Sequence, residues 1–541
     1  MYPTFEAVKK LAQTGLYRRI PVCRELYADR YTPVEVMRRL RGASRHCYLL
    51  ESAGQSEVWG RYSFLGCHPT MEITCTDGKI TIREKKEDGE DTVIVKKVSH
   101  PGDTLREILA RYKSPVMEGM PPFTGGLVGY FSYDYIKYNE PKLKLTKEEV
   151  EEEAREEENE NLTQKEDKNE EKNAEKDVIK ENVKGEAKKE RNLQDFRDMD
   201  LMLFDQVITF DHYRQKVLLI TGVMTENSDT LEASYQKAEE TLEEMKQLIQ
   251  GGEPMQFSPL KLKSQILPQF PREQYCGMVE KAKQYIREGD IFQVVLSNPM
   301  RAEAEGNLFD TYRVLRATNP SPYMFYFSSD DLEMAGASPE TLVKLEAGKL
   351  STFPLAGTRP RGKTRKEDME LEADLLQDEK ELAEHNMLVD LGRNDIGKIS
   401  RIGSVEVEKY LSVERFSHVM HLGSTVIGEL EEGKDAVDAV DAILPAGTLS
   451  GAPKFRACQI IGELENSKRG VYGGAIGYLD FTGNLDTCIA IRLVYKKNGA
   501  ICIRSGAGIV ADSVPDKEFD ECCNKAKAVV QAIRFAEEGL E

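Results

Sequence analysis

The stretch LPQFPREQYCGMVEKAKQYIREGDIFQVVLS, residues 267–297, decides the fold class of this chain. Its pattern predicts a helix from Pro271 to Arg287, a stop at Gly289-Asp290 and then a strand in IFQVVLS. Beyond this strand, β segments and helices follow one another without the regular alternation that is typical of a parallel sheet. The sequence therefore predicts an α+β fold rather than a doubly wound one.

Upstream of this stretch, residues 1–144 predict strands separated by turns, including a hairpin in residues 71–84. Residues 145–192 are almost entirely charged or amide residues. We interpret them as a solvated, disordered insert, because such a segment buries very little surface. Residues 193–541 then resume the fold and contain the candidate site.

The overall composition excludes several classes of partner. The chain has 541 residues and a net charge of −19, which disfavours nucleic acid and anionic membranes, since both require a basic face. No apolar run approaches the length of a membrane span, and the first residues are too polar for a secretory signal. Ten cysteines without metal-ligand spacing indicate thiols in a reducing compartment. We therefore expect a cytoplasmic protein that binds neither nucleic acid nor membranes.

Two predicted helices each carry two glutamates three residues apart, a spacing that places both side chains on one side of a helix. The pairs are Glu381 with Glu384 and Glu518 with Glu521. Taken alone, each pair is typical of a solvated helix surface. If the two pairs converge, their like charges require a cation between them, and an all-oxygen set of donors favours Mg²⁺.

Four further features of the C-terminal half fit an anionic ligand. The segment Gly506–Gly508 is able to offer backbone N–H groups as a nest for an anion, although a bulged strand explains it equally well. Arg492 lies in an apolar strand-like segment, where a carboxylate partner would offset the cost of burying its charge. His418 and His421 are acid–base candidates, and Thr448 belongs to an Ala-Gly-Thr turn. Together with the glutamates, these residues suit a small substrate with two carboxylates.

Six motifs occur in a fixed order in the C-terminal half. They are GASPE (336–340), PLAGTRPRG (354–362), DEKELAEHNMLVDLGRND (378–395), LPAGTLSGAPK (444–454), GVYGGAIGY (470–478) and RSGAGIVADS (504–513). Together they resemble the chorismate-utilising enzymes, and most closely the anthranilate synthases. The resemblance covers residues 1–140 and 195–540, and the charged insert is not part of it.

The resemblance implies a fold in which antiparallel sheets pack together in the middle, with helices outside and the active site in a cleft. It also implies a reaction in two steps, the first committed step of tryptophan biosynthesis. Ammonia attacks ring carbon 2 of chorismate while the 4-hydroxyl leaves. Pyruvate is then eliminated and the ring becomes aromatic, which gives anthranilate.

The resemblance also assigns roles to the candidate residues. It implies that Glu384 and Glu521 bind Mg²⁺, with Glu381 and Glu518 as partners through water. We expect Glu381 to be the general acid as well, and His421 to serve the pyruvate-eliminating step. The expected contacts of chorismate are Gly357, Thr358, Thr448, Tyr472, Arg492, Gly506, Ala507 and Gly508.

Two positions separate the possible products. Gln293 stands where similar isochorismate and salicylate synthases carry a lysine that activates water, and glutamine cannot act as that base. Ala356 stands where many aminodeoxychorismate synthases carry a lysine, whose amine is able to attack the ring. Both positions favour ammonia as the nucleophile and anthranilate as the product.

The N-terminal motif LLES and the segment NPSPYM resemble the site where tryptophan inhibits this family. Glu51 and Ser52 are expected to bind the amino group of the inhibitor. The expected wall of the indole pocket consists of Pro322, Tyr323 and Met324, with Ile476 and Tyr478 nearby. An ordinary strand end explains LLES alone, but its pairing with NPSPYM favours regulation by L-tryptophan.

No glutaminase signature is present, so we expect ammonia to come from a partner, a glutamine amidotransferase subunit. Two alternatives stay open. One is an aminodeoxychorismate synthase, which makes a 4-amino product. The other is a catalytically silent sensor that binds tryptophan without converting chorismate.

Overall fold

The computed structural model describes residues 1–52, 60–85, 91–143, 196–225, 230–415 and 419–540. The predicted disorder of the insert at 145–192 therefore lies outside the described residues. The described helices are α1 (Phe5–Gln13), α2 (Pro33–Ala43), α3 (Pro101–Ala110), α4 (Leu231–Gly251), α5 (Arg272–Glu288), α6 (Phe309–Thr318), α7 (Arg365–Gln377), α8 (Glu379–Gly397), α9 (Ala436–Ile443), α10 (Lys454–Glu465) and α11 (Pro515–Glu537).

The described strands run in chain order from β1 to β25. They are β1 (Arg19–Tyr27), β2 (Cys47–Glu51), β3 (Tyr62–Cys67), β4 (Met71–Thr76), β5 (Lys79–Glu84), β6 (Thr92–Lys97), β7 (Gly126–Phe131), β8 (Met199–Phe204), β9 (Val207–Asp211), β10 (Lys216–Met224), β11 (Lys261–Leu262), β12 (Leu267–Pro268), β13 (Gln293–Glu305), β14 (Tyr323–Ser328), β15 (Leu332–Ser338), β16 (Thr341–Glu346), β17 (Lys349–Thr352), β18 (Leu355–Pro360), β19 (Glu406–Arg415), β20 (Val419–Glu429), β21 (Gly451–Ala452), β22 (Ala475–Asp480), β23 (Leu485–Ile489), β24 (Leu493–Lys497) and β25 (Ala500–Ile509).

These strands form two large antiparallel sheets. The first has the order β1-β10-β9-β3-β2-β14-β15-β24-β25-β13-β11, with β12 and β21 also paired with β13. The second has the order β18-β20-β17-β16-β23-β22-β7-β8-β4-β5-β6, with β19 paired with β20. Strands from both sides of the charged insert are present in each sheet, so the two parts of the chain build one architecture together.

Local sequence signals explain where the elements begin and end. The predicted helix is α5, which ends at Gly289 with a left-handed φ of 86°, and the predicted strand after it is β13. The predicted hairpin is β4–β5, and its turn at Asp77-Gly78 has both residues at positive φ, as a type I′ turn requires. In β4 every second residue is buried, which is the period of a strand with one face in the core.

The two sheets pack face to face through a layer that is rich in aromatic residues. Tyr48, Phe64 and Phe325 of the first sheet share this layer with Phe204 and Tyr478 of the second. Two other apolar clusters fill the outer faces, where the helices cover the sheets. This architecture confirms the α+β fold with central antiparallel sheets and outer helices. No helix in the described ranges combines the length and apolar character needed to cross a membrane.

Candidate active site

Four glutamates on two helices form an acidic corner. Glu381 and Glu384 lie in the first two turns of α8, and Glu518 and Glu521 in the first two turns of α11. Burial raises the pKa of Glu384, and the charges of Glu381 and Glu521 raise it further. Burial is also the main reason why the pKa of Glu381 and of Glu518 is raised, with Glu521 adding to both shifts. The structure thus brings the two predicted pairs together, and their mutual repulsion favours a bound cation.

Two basic side chains reach this acidic corner. The Nζ atom of Lys525 lies 2.8 Å from Oε1 of Glu521 and donates to the carbonyl oxygen of Gly506 at 3.1 Å. The Nη1 atom of Arg359 lies 3.7 Å from Oε1 of Glu381. In the described part of the chain, no three histidine, cysteine, aspartate or glutamate side chains are gathered closely enough to enclose a metal ion. The oxygen donors nevertheless fit Mg²⁺, which usually takes one or two protein carboxylates and completes its shell with water and ligand oxygens.

Glu340 is a buried carboxyl near this corner that the sequence analysis did not select. It follows β15 and is 8 % exposed. Burial raises its pKa to about 8, while the Thr448 hydroxyl and the charges of Arg492 and Lys525 oppose the shift. Glu340 is therefore mostly protonated at neutral pH, which makes it a proton donor in the site.

Arg492 lies in a turn and not inside a strand as its apolar surroundings predicted. It connects β23 to β24 with a left-handed φ of 52°, and its carbonyl oxygen accepts the N–H of Ala337 at 3.1 Å. Burial lowers the pKa of its guanidinium, and the charge of Glu340 raises it. Its guanidinium makes no ion pair with another described residue. A half-buried arginine without an ion pair in the described part of the chain is suited to bind a carboxylate of a ligand.

His421 lies in β20 opposite Thr358 of β18. Its Nδ1 atom is 2.9 Å from the carbonyl oxygen of Gly357 and 3.1 Å from Oγ1 of Thr358. A carbonyl oxygen only accepts, so Nδ1 carries the proton and Nε2 carries the lone pair. Burial lowers the pKa of this imidazole, which keeps it neutral at pH 7. The side chain is therefore set up as a base at Nε2.

The backbone around Gly357 explains how this contact arises. Gly357 has a left-handed φ of 66°, and the register of β18 shifts between Ala356 and Thr358. Such a bulge turns the carbonyl group out of the regular ladder and towards His421. The neighbouring Ala356 is buried and has only a methyl side chain. This position therefore offers no amine to the site.

The glycine-rich segment lies in a strand, β25, beyond the residues that pair with β24, so one edge of it is open in the described part of the chain. Gly506 and Gly508 lie in β25 without a left-handed φ, opposite Ser297 and Val295 of β13. Those two residues donate their own N–H groups away from β25, at 2.7 and 2.9 Å. In an antiparallel sheet, both residues of such a pair point their N–H groups outwards. Gly506 and Gly508 thus present N–H groups at the open edge, whereas Ala507 between them turns towards β13.

Two predicted side chains pack against one face of this strand. A Cβ atom on Gly508 would lie 2.6 Å from Nε2 of Gln293, and one on Gly506 would lie 3.0 Å from the Tyr472 hydroxyl. Gln293 and Tyr472 are both buried. The absence of side chains at the two glycines therefore leaves the space that these groups occupy.

Thr448 is the remaining predicted contact of the substrate. Its Oγ1 atom is buried without a hydrogen-bond partner among the described residues, although it lies near enough to Glu340 to lower the pKa of that carboxyl. Buried hydroxyls are normally hydrogen-bonded. A ligand oxygen between Thr448 and Glu340 would satisfy it.

A separate cavity of about 870 Å³ lies beside β2, β14 and β22. All residues predicted to bind tryptophan line it: Glu51, Ser52, Pro322, Tyr323, Met324, Ile476 and Tyr478. The Tyr323 hydroxyl donates to Oδ1 of Asp486 at 2.8 Å, and Oγ of Ser52 is buried without a partner in the described chain. Aromatic walls with a few polar groups suit a small amphipathic ligand.

Glu51 differs from the expectation that it binds an amino group directly. Its carboxylate accepts from Arg316 at 2.8 and 3.3 Å, from Ser63 at 3.2 Å and from the Tyr312 hydroxyl. The charge of Glu51 is thus already neutralised by Arg316. It shapes the wall of the cavity, and Ser52 is the motif residue with a hydroxyl available to a ligand.

Sequence reasoning missed two candidates, Glu340 and Lys525. Glu340 ends the GASPE motif, which served only as a family marker, and its burial is not visible in a local pattern. Lys525 follows Glu521 by four residues, and this helical spacing was the available signal. His418, the other histidine of the predicted pair, lies outside the described residues.

Comparisons with known proteins agree with this geometry. A family model described as chorismate binding enzyme matches residues 178–531. Anthranilate synthase component 1 of Acetivibrio thermocellus is 40 % identical, and that of Aquifex aeolicus is 41 % identical, each over 99 % of both chains. The crystal structure of anthranilate synthase component I from Streptococcus pneumoniae is 38 % identical, with a TM-score of 0.66 over 88 % of this chain and 94 % of that one. The chain therefore belongs to the chorismate binding enzyme family, in the group of anthranilate synthase component 1.

Proposed function

We propose that this chain is the chorismate-converting subunit of an anthranilate synthase, which turns chorismate and ammonia into anthranilate, pyruvate and water. The end-to-end similarity to relatives with that name carries the proposal. The placement of Gln293 and Ala356 supports it, because neither side chain supplies the amine that competing reactions would use.

Two sets of groups suit the two carboxylates of chorismate. Arg492 and the N–H groups of Gly506 and Gly508, which lie next to Tyr472, would form one anion site. The acidic corner forms the other when Mg²⁺ is bound. Glu384 and Glu521 would hold the ion directly, and Glu381 and Glu518 would hold it through water, as the resemblance to the family implies. The ion supplies positive charge that holds and neutralises a substrate carboxylate.

Glu340 is the better general acid for the first step, in place of Glu381. Its pKa of about 8 keeps it protonated at neutral pH, whereas the charge of Arg359 opposes the rise in the pKa of Glu381. As ammonia forms the C–N bond at ring carbon 2, the C–O bond at carbon 4 breaks. Glu340 gives its proton to the departing oxygen, which leaves as water.

The nucleophile in this step is ammonia, since Gln293 is neutral and offers no base for water. Its amide lies beside Gly508, at the edge where the ring would be bound. An amide is able to orient a nucleophile by hydrogen bonding but cannot take up its proton. Hydroxylation of the ring is therefore disfavoured at this site.

His421 performs the second step. The lone pair on Nε2 takes the remaining proton from ring carbon 2, the C–O bond at carbon 3 breaks, and the side chain leaves as enolpyruvate, which takes up one proton to become pyruvate. The electrons of the C–H bond complete the aromatic ring. The bond from Nδ1 to Gly357 steadies the imidazolium that forms, because a carbonyl oxygen favours the charged ring.

Two further features of the proposal concern supply and control. We infer that ammonia comes from a glutamine amidotransferase partner; the name component 1 implies that the relatives have a second component. L-Tryptophan binds the cavity lined by Ser52, Met324 and Tyr323 and inhibits turnover. The volume of about 870 Å³ is ample for one indole side chain with its amino and carboxylate groups.

One incubation tests the proposal against its alternatives. The purified chain is mixed with chorismate, Mg²⁺ and ammonium chloride, and the fluorescence of anthranilate is followed. Anthranilate and pyruvate in equal amounts are expected. A 4-amino product would identify an aminodeoxychorismate synthase. Tryptophan binding by calorimetry without turnover would identify a sensor.

A further inference from the structure

Arg359 joins three structural elements at the mouth of the candidate site. It lies in β18, directly after Thr358, and its side chain is 18 % exposed. Its Nε atom is 2.6 Å from Oδ2 of Asp374 at the end of α7, and its Nη2 atom is 2.7 Å from Oδ2 of Asp378 between α7 and α8. Its Nη1 atom is 3.7 Å from Oε1 of Glu381 in α8.

Asp378 connects the side chain of Arg359 to the backbone of α8. One of its oxygens, Oδ1, caps the helix by accepting the N–H groups of Lys380 at 3.0 Å and Glu381 at 3.2 Å. The other, Oδ2, accepts from Arg359. Both contacts favour the ionised form, and the pKa of Asp378 is lowered, first by Arg359 and then by the N–H of Glu381. A single carboxylate therefore ties the start of α8 to a side chain of β18.

The same strand holds the catalytic imidazole on its other side. Gly357 and Thr358 contact Nδ1 of His421 at 2.9 and 3.1 Å, two residues and one residue before Arg359. Arg359 thus lies between the histidine strand and the helix that carries Glu381 and Glu384. Its guanidinium is a rigid fork with donors in fixed directions, so it is able to define the distance between these elements.

Arg361, two residues further on, is a natural comparison. Its guanidinium bonds Asp368 in α7 at 2.9 and 3.0 Å, with a side chain that is 34 % exposed. This ion pair with Asp368 connects Arg361 to α7. Exposed ion pairs of this type contribute little to stability.

We propose that Arg359 is a positioning residue, which fixes the start of α8 against β18 so that Glu381 and Glu384 hold a divalent cation in register with His421. The inference rests on the proposed function for the identity of the reaction, but its core concerns the placement of the two carboxylates. Because Arg359 is itself positive, its charge alone opposes cation binding. When the guanidinium is replaced by a neutral side chain, loss of its positioning role predicts weaker cation binding, whereas loss of its charge predicts tighter binding.

The experiment compares Arg359→Lys and Arg359→Gln with Arg361→Lys and Arg361→Gln. Binding of Mn²⁺ to each full-length protein is measured without chorismate, from the paramagnetic resonance signal of the free ion. Lysine keeps the charge but cannot bridge Asp374 and Asp378 in the same way. We expect Arg359→Lys and Arg359→Gln to weaken Mn²⁺ binding by about 10–100-fold, the usual effect of losing a partner behind the metal ligands. The Arg361 variants are expected to stay within about twofold of the original protein.

Several outcomes would overturn the inference. Unchanged affinity in Arg359→Lys, tighter Mn²⁺ binding in Arg359→Gln, or an equal loss in the Arg361 variants would each contradict a positioning role. An original protein that binds no Mn²⁺ would contradict it as well. A second readout excludes simple unfolding: high Mg²⁺ should restore turnover of Arg359→Lys, and its half-saturating Mg²⁺ should rise more than its KM for chorismate. If no anthranilate forms but the Mn²⁺ pattern holds, only the proposed function fails.

Discussion

The buried Glu340 and the half-buried Arg492 lie near enough to each other that each charge acts on the other group. Burial raises the pKa of Glu340 to about 8, and Arg492 opposes that shift. Burial lowers the pKa of Arg492, and Glu340 opposes that shift in turn. A substrate carboxylate on Arg492 would neutralise its charge and so raise the pKa of Glu340 further. Substrate binding and retention of the catalytic proton are thus linked.

This link predicts the alkaline limb of the pH profile. The value of kcat/KM for chorismate, at a constant concentration of free ammonia, should fall as the pH rises through about 8, because Glu340 of the free enzyme loses the proton that it must donate. The folded pKa lies above the ordinary value of 4.5. The contribution of this group to stability is therefore complete below the ordinary value and is lost as the pH rises through about 8.

Glu340→Gln should lower turnover by about 10²–10⁴-fold, since an amide is not an acid. Glu381→Gln is the matched variant, and its activity should still fall as the pH rises through about 8. Steady-state rates across the pH range measure both. If the loss of activity at alkaline pH disappears in Glu381→Gln and persists in Glu340→Gln, Glu381 is the general acid.

His421→Met should separate the two chemical steps. Without the lone pair on Nε2, the proton on ring carbon 2 stays in place and pyruvate is not released. We expect consumption of chorismate with accumulation of the amino intermediate, seen by liquid chromatography and mass spectrometry. Normal anthranilate output from this variant would exclude His421 as the base.

Local patterns account for much of the fold. The helix–stop–strand sequence of α5 and β13 and the hairpin at Asp77-Gly78 follow from spacing and turn chemistry alone. The strand order within the two sheets was not accessible, because it depends on contacts between residues hundreds of positions apart.

In the candidate site, too, local sequence predicts some features, and others depend on distant contacts. The glutamate pairs were predicted from helical spacing, and their convergence is visible only in the structure. The raised pKa of Glu340 arises from burial by distant segments, which no motif encodes. Likewise, the direction of the Gly506 N–H follows from the direction in which Ser297 donates its own N–H, which composition alone does not show.

Glu521→Gln should raise the half-saturating concentration of Mg²⁺ by at least about tenfold, because a direct ligand loses its charge. Asp520→Asn is the control, since Asp520 is the preceding residue and pairs with Arg272 at 2.5 Å on the exposed side. Initial rates at a series of Mg²⁺ concentrations measure both. Equal Mg²⁺ dependence in the two variants would remove Glu521 from the metal site.

Ser52→Phe should relieve inhibition by tryptophan while turnover is retained. The Ser52 hydroxyl is buried at the cavity wall, and a phenyl ring there would occupy space that the ligand needs. Inhibition curves and calorimetric titrations with tryptophan give the two readouts. Ser52→Ala tests the hydroxyl alone and should weaken binding less. An unchanged inhibition curve for Ser52→Phe would place the inhibitor elsewhere.

Gly506→Ala should impair chorismate binding more than Gly508→Ala. A Cβ atom at residue 506 would lie 2.6 Å from the carbonyl oxygen of Leu296, so the backbones of β13 and β25 would have to separate. At residue 508 it would meet Nε2 of Gln293 at the same distance, but that amide is the end of a flexible side chain and is able to rotate. We expect Gly506→Ala to lose about 1–3 kcal/mol of stability and to raise KM, because the N–H groups at the open edge move with the strand. Urea unfolding and chorismate titrations measure the two effects, and a larger rise of KM in Gly508→Ala would show that Gln293 and not the strand edge governs binding.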